Sequence, residues 1–201
     1  MLRLADALIV SESRHKTLSA LYREIVDAPD ATNAADCLRI APWAADDLQQ
    51  PLGDFVVKEI VAYARAHPDE PVYISIDDSL APKDPDTRHL EPVAFHHDHT
   101  QSTPKKPVYT NGTVYIEVRL QCGTLSYAYA HRLYLREKTV RRLNRERRDT
   151  EQPRLHFRSK YRLTREMLVA LRAQLPAEVK IDHITTIHFV TMGKNTVNFL
   201  I

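Results

Sequence analysis

Two adjacent carboxylates, Asp77 and Asp78, close the apolar run Val72-Tyr73-Ile74-Ser75-Ile76. A carboxylate at the tip of a buried strand is rigidly placed, and such a group can hold a divalent cation that keeps several of its waters. Neighbours on a strand point to opposite faces, so the two cannot both ligate if the strand continues. Ser75 and Asp77 share one face, while Ile74, Ile76 and Asp78 share the other. The competing reading is structural: Asp-Asp as an Asx-type turn starter. A second group, His96, His97, Asp98 and His99 with His89 nearby, supplies metal-capable atoms. Consecutive residues rarely converge on one ion, so a supporting or structural role is favoured over direct ligation.

The third group is cationic. Net charge is only +2, yet thirteen lysines and arginines fall between His131 and Arg165, against Glu137, Glu146, Asp149 and Glu151. Among them are Arg141, Arg142, Arg145, Arg147, Arg148, Arg158, Lys160 and Arg162. A local excess of this kind is the footprint of a polyanion binder, or else a solvated surface loop. Lys160, Arg158 and Arg162 stand beside a helix start, a place suited to phosphate. Apolar content of 43% and charged content of 27% are ordinary for a soluble globular chain. No apolar run is long enough to cross a membrane, and no signal-peptide cleavage pattern follows the N-terminus. Cys37 and Cys122 are isolated, which excludes a disulfide framework or zinc ribbon and fits a reducing, cytoplasmic setting.

The elements that must position these groups follow from periodicity. Thr17, Leu18, Leu21, Ile25 and Val26 form one helical stripe, and Asn33 caps a second helix that ends at Pro42-Trp43. A third helix runs from about Leu52 to Ala66, and the polar "HPDEP" then separates a helical region 1–67 from a region 71–201. Val72–Ile76 reads as a central strand buried on both faces. Thr113–Gln121 and Thr124–Leu135 form a hairpin turning at Cys122-Gly123. Thr164 caps a helix bearing Met167, Leu168, Leu171 and Leu175, and a strand over Val179–Val190 follows. Helices, then strand, hairpin, helix and strand, are the opening of a ribonuclease-H-like layer of mixed α/β type.

The ordered motifs "ISIDDSLAPK", "HHDHTQ", "HRLYLRE" and "RSKYRLTREMLVAL" resemble bacterial insertion-sequence transposases of the DDE endonuclease superfamily. The likeness runs to about Val179 and takes in Asn33-Ala34-Ala35 and Ala41-Pro42-Trp43. It implies DNA cutting and strand transfer by two-metal phosphoryl transfer with Mg²⁺ or Mn²⁺, acting on transposon ends near the nucleoid. It also carries the catalytic, metal-binding role to Asp78, with Asp77 as the fallback. The family pattern further implies a second Asp at the end of the fourth strand, in an Asp-x-Trp-Tyr-like context, and a later Glu on a helix. Here the chain reads "EVKIDHITTIHFVTMGKNTVNFLI", with Asp182 early in the strand. The expectation is therefore the front part of a transposase with an incomplete metal site and an incomplete sheet that exposes apolar surface. The alternative is a non-catalytic DNA-binding remnant or transposition inhibitor, pairing with intact transposase or with itself.

Overall fold

The computed structural model describes residues 44–88 and 90–187, together with Ala20, Leu21, Asp36 and Ile40. These four isolated residues are helical; the rest of the first two expected helices, and His89, lie outside the described residues. By its contacts the chain divides into two units, Met1–Asp47 and Leu48–Ile201, and the following account concerns the second.

Helix α1 (Ala45–Ala66) begins well before the expected Leu52. Pro51 sits inside the helix at the cost of one backbone hydrogen bond. Asp46 and Asp47 favour the earlier start by placing negative charge in the first turn. Strand β1 (Val72–Pro82) follows the linker, then β2 (Ala94–His97), β3 (Tyr109–Cys122) and β4 (Leu125–Tyr134). Helices α2 (Glu137–Glu146) and α3 (Lys160–Gln174) lead to β5 (Ile181–Ile187).

The five strands form one mixed sheet. β1 is central, antiparallel to β3 and parallel to β5, with Ile76 opposite Val118 and Asp78 opposite Ile116. On the far side of β3 lie β4 and the short β2, which pair with successive stretches of it. The β3–β4 hairpin turns at Gly123, whose φ of 54° suits glycine. This is the ribonuclease-H-like mixed α/β arrangement that the element order implied.

Residues paired across strands share a face, so one face carries Ile74, Ile76, Val118, Leu120 and Ile116, all buried. Helix α3 packs on β3 and β4 through Leu163, Met167, Leu168 and Leu171. Val56, Val57, Ile60 and Val61 of α1 join the same core. The expectation that β1 is buried on both faces is corrected here. Tyr73 is 42% exposed, so only the alternate residues Val72, Ile74 and Ile76 of the run are core.

Helix α1 also protects the edge of β4. The β3–β4 register slips at Val118/Arg119, leaving Tyr129 as a bulge. The Gln49 amide takes up the freed groups, donating to Tyr129 O at 2.9 Å and accepting from His131 N at 2.9 Å. Gly53 permits the approach, since a Cβ there would meet the Tyr129 ring at 3.1 Å.

The cap of α3 is also displaced from expectation. Ser159, not Thr164, caps the helix, its hydroxyl accepting from Arg162 N at 3.2 Å. Thr164 is fully buried inside the helix with its hydroxyl unpaired. Ser159→Ala should therefore lower stability by about 1 kcal/mol in urea unfolding. Thr164→Val, which removes only the unpaired hydroxyl, should leave stability unchanged or raise it by about 1 kcal/mol.

Candidate active site and basic groove

The stripe Ile74, Ile76, Asp78 carries a carboxylate onto the core face of the sheet, at the end where α3 begins. Asp78 Oδ2 lies 2.5 Å from Lys160 Nζ, with side-chain exposures of 15% and 32%. Lys160 is the first residue of α3, and its ammonium also stands 5.4 Å from the centre of the Tyr134 ring. Tyr134 and His96 pair with Val114 and Thr110 of β3, which places both on this same face.

His96 is buried, and its Nε2 has no partner. Burial lowers its pKa to about 4, helped by the charges of Arg136 and Lys160 and opposed by that of Asp78. It is thus a neutral imidazole at pH 7. The Tyr134 phenol is raised, chiefly by burial, with Glu137 and Asp78 adding to the shift against Arg136, and so stays protonated. Arg136 itself donates to Phe95 O of β2 at 2.5 Å, tying the start of α2 to the strand that carries His96.

Asp77 lies on the opposite face. Its Oδ1 accepts the Asp78 backbone N–H at 2.8 Å, and it stands across from Glu117. Facing carboxylates repel, but Glu117 is paired with Arg119 at 2.9 Å and hydrogen-bonded with the His131 ring at 2.9 Å. Asp182 is more distant still. Ile181 pairs with Val72 and His183 with Tyr73, so Asp182 stands at the other end of β1, roughly 17 Å of strand from Asp78. It does not supply a second acid beside Asp78.

The histidine segment divides by role. Asp98 is buried and organises the turn after β2, accepting from Thr100 N, Gln101 N and the Thr110 hydroxyl at 3.0, 3.1 and 3.0 Å. His97 and His99 stack edge-to-face, their Nδ1 atoms 3.1 Å apart on the surface. Among the described residues no three His, Cys, Asp or Glu side chains converge as a metal site. One carboxylate already paired with an ammonium does not fit a divalent-cation centre on its own.

The cations fall into two sets that sequence reading did not separate. Part of the Arg-rich segment is helix α2, with Thr139, Val140 and Leu143 as its buried stripe. Arg141 and Arg142 are engaged in i,i+4 pairs with Glu137 and Glu146, and Arg147 is held by Glu91 and Pro153 O. Arg158 and Arg162 both pair with Glu166. Arg145, Arg148 and Arg154 are exposed and have no ion pair among the described residues. They line an open groove of about 900 Å³ with Lys138, Arg141 and Arg147, and no acid contributes to its walls.

A mixed sheet of this order, with an acid on the core face of its central strand, is a ribonuclease-H-like α/β arrangement. A family model described as "DDE superfamily endonuclease" matches residues 1–179, and the chain belongs to that family. Searches of curated proteins and of solved structures found no match.

A neutral buried His96 has a consequence for stability. Its folded pKa lies below the unfolded value, so the unfolded chain binds more protons between about pH 4 and 6.5. The contribution is fully present above pH 6.5 and is lost as pH falls through that window, by an amount on the order of 3 kcal/mol. Urea midpoints measured from pH 4 to 7 should therefore rise with pH more steeply in the native chain than in His96→Gln.

Proposed function

We propose that this chain is part of a DDE-type transposase of a bacterial insertion sequence, with Asp78 as the first acid of the centre that cuts and joins DNA. The observation that carries this reading is the position of Asp78. It continues the apolar stripe of the central strand, which runs on past it to Pro82, and it stands beside the cationic start of α3. Of the acids considered from sequence, Asp77 faces away and Asp182 stands at the far end of the sheet. Asp78 would hold Mg²⁺ or Mn²⁺ firmly only alongside acids that the described residues do not provide.

In the same reading, DNA phosphates run along the groove of α2, met first by Arg145, Arg148 and Arg154. Arg141, Arg142, Arg147, Arg158 and Arg162 contribute after exchanging or sharing their carboxylate partners, and Lys160 contributes next to Asp78. The partners are transposon-end DNA, intact transposase or a second copy of the chain. A second reading, a DNA-binding product that does not itself cut, is favoured because among the described residues no three His, Cys, Asp or Glu side chains converge as a metal site.

Two measurements separate these readings. Replacing Arg145, Arg148 and Arg154 by Ala should weaken DNA binding similarly across sequences and flatten its salt dependence by about 1 per lost phosphate contact. An unchanged affinity would make the groove a solvated surface. Mg²⁺- or Mn²⁺-dependent nicking of element ends should be absent for the 201 residues alone. It should appear in a longer chain that supplies the later acids and vanish there on Asp78→Ala. Nicking that survives this substitution would remove Asp78 from the chemistry.

A further inference from the structure

The groove of α2 does not end at its cationic walls. Arg154, which lines it, also lines a second and smaller cavity of about 360 Å³ beside the start of α3. The wall chemistry changes between the two. Among the described residues no leucine or valine lines the groove, whereas Leu133, Leu135, Val140, Leu155 and Leu163 line the pocket. Val140 and Leu163 are buried and form its floor, while Leu133, 49% exposed, stands at its mouth.

Hydrogen bonds fix the walls. Leu155 lies in the irregular connection between α2 and α3. The Asn144 amide of α2 holds it there, donating to Leu155 O and accepting from Leu155 N, both at 2.8 Å. Arg147 donates to Pro153 O of the same connection at 3.2 Å. On the α3 side Glu166 accepts from Arg158 at 3.0 Å and from Arg162 at 3.1 Å, which keeps both guanidinium groups at the wall.

A pocket with this lining selects its occupant. A bare phosphate gains nothing from five aliphatic side chains, and an aliphatic chain gains nothing from Arg154, Arg158 and Arg162. A nucleobase uses both, since apolar side chains and guanidinium planes each accept the face of a base. The volume is that of a small-ligand site, for which about 300–1,000 Å³ is usual. Continuity through Arg154 puts such a base next to phosphates in the groove. A paired base is stacked inside the duplex and cannot enter, so the occupant is unpaired.

We propose that this pocket receives an unpaired nucleobase of DNA while the neighbouring phosphates lie along the groove of α2. The inference rests on the reading of that groove as a DNA site, and it makes strand ends, bulges and locally opened duplex the preferred substrate class. Neither Asp78 nor a metal ion takes part.

Fluorescence anisotropy of the full chain in EDTA tests this without any cleavage assay. The probes are duplexes of one sequence: fully paired, with a single unpaired 2-aminopurine, and with an abasic residue in that place. The unpaired base should tighten binding about tenfold over the paired duplex. The abasic probe, which keeps the phosphate, should lose that gain. Emission from 2-aminopurine, quenched while it stacks on neighbouring bases, should rise on binding. Equal affinity for paired and unpaired probes, a gain that the abasic probe retains, or an unchanged emission would overturn the proposal.

Variants separate the pocket from the groove. Leu133→Ser, at a half-exposed position, should cut the preference for the unpaired base to about twofold and leave the affinity for paired duplex unchanged. Replacing Arg145 and Arg148 by Ala should weaken all the probes alike and keep the preference. If the arginine variant weakens binding but the native chain shows no preference, the pocket assignment alone is wrong. If no probe binds the native chain, the groove reading falls and the proposal falls with it. A Leu133→Ser chain that keeps the full preference but loses a dimer seen for the native chain by sedimentation would give the pocket to a second copy and overturn the proposal.

Discussion

An ionised carboxylate on the core face of a sheet must be compensated, and in this chain that requirement links the sheet, the last helix and the connection between them. Asp78 occupies a position that Ile74 and Ile76 would lead one to fill with another aliphatic side chain. Removing a carboxylate from water without a partner costs several kcal/mol, which is a large part of a domain's stability. Lys160 provides the compensation only because α3 starts at that point, and α3 starts there because Ser159 caps it. The cap, the ammonium and the packing of α3 on β3 and β4 are thus parts of one arrangement. Tyr134, at the end of β4, supplies an aromatic face beside the same ammonium.

The second constraint is the edge of the sheet. A hairpin strand with a bulge leaves backbone groups that water or another chain could claim. Gln49 closes that gap from α1, and Gly53 lets the helix come near enough to do so. The opposite sheet face is managed with polar pairing instead: Glu117 is paired with Arg119 and hydrogen-bonded with His131 beside Asp77, while Tyr73 and Leu133 stay about half exposed. One face is therefore a packed core that also carries an ion-paired carboxylate, and the other is a polar surface with scattered apolar residues.

Much of this was legible in the residues. The alternation in Val72–Asp78 separated Asp78 from Asp77, and the structure keeps them on opposite faces. The hairpin was marked by Gly123, and the core of α3 by the spacing of Met167, Leu168 and Leu171. Other features were hidden for physical reasons. Helix α2 was masked by its charged residues, which outnumber the buried Thr139, Val140 and Leu143. Strand β2 has four residues, too few for a period, and two of them are histidines. Thr164 was mistaken for a cap because a buried threonine and a capping one look alike in sequence, whereas Ser159 lay a turn earlier among cations. The pairing of Asp78 with Lys160, 82 residues apart, has no local signal at all.

In the proposed reading Asp78 is the carboxylate around which the chemistry is built. The most direct measurement is an anomalous difference map from crystals of a longer chain that supplies the later acids, soaked in Mn²⁺ together with a short DNA end. A peak about 2.1 Å from an Asp78 carboxylate oxygen is expected. Mn²⁺ found instead at Asp77 or between His97 and His99, with none at Asp78, would contradict the reading.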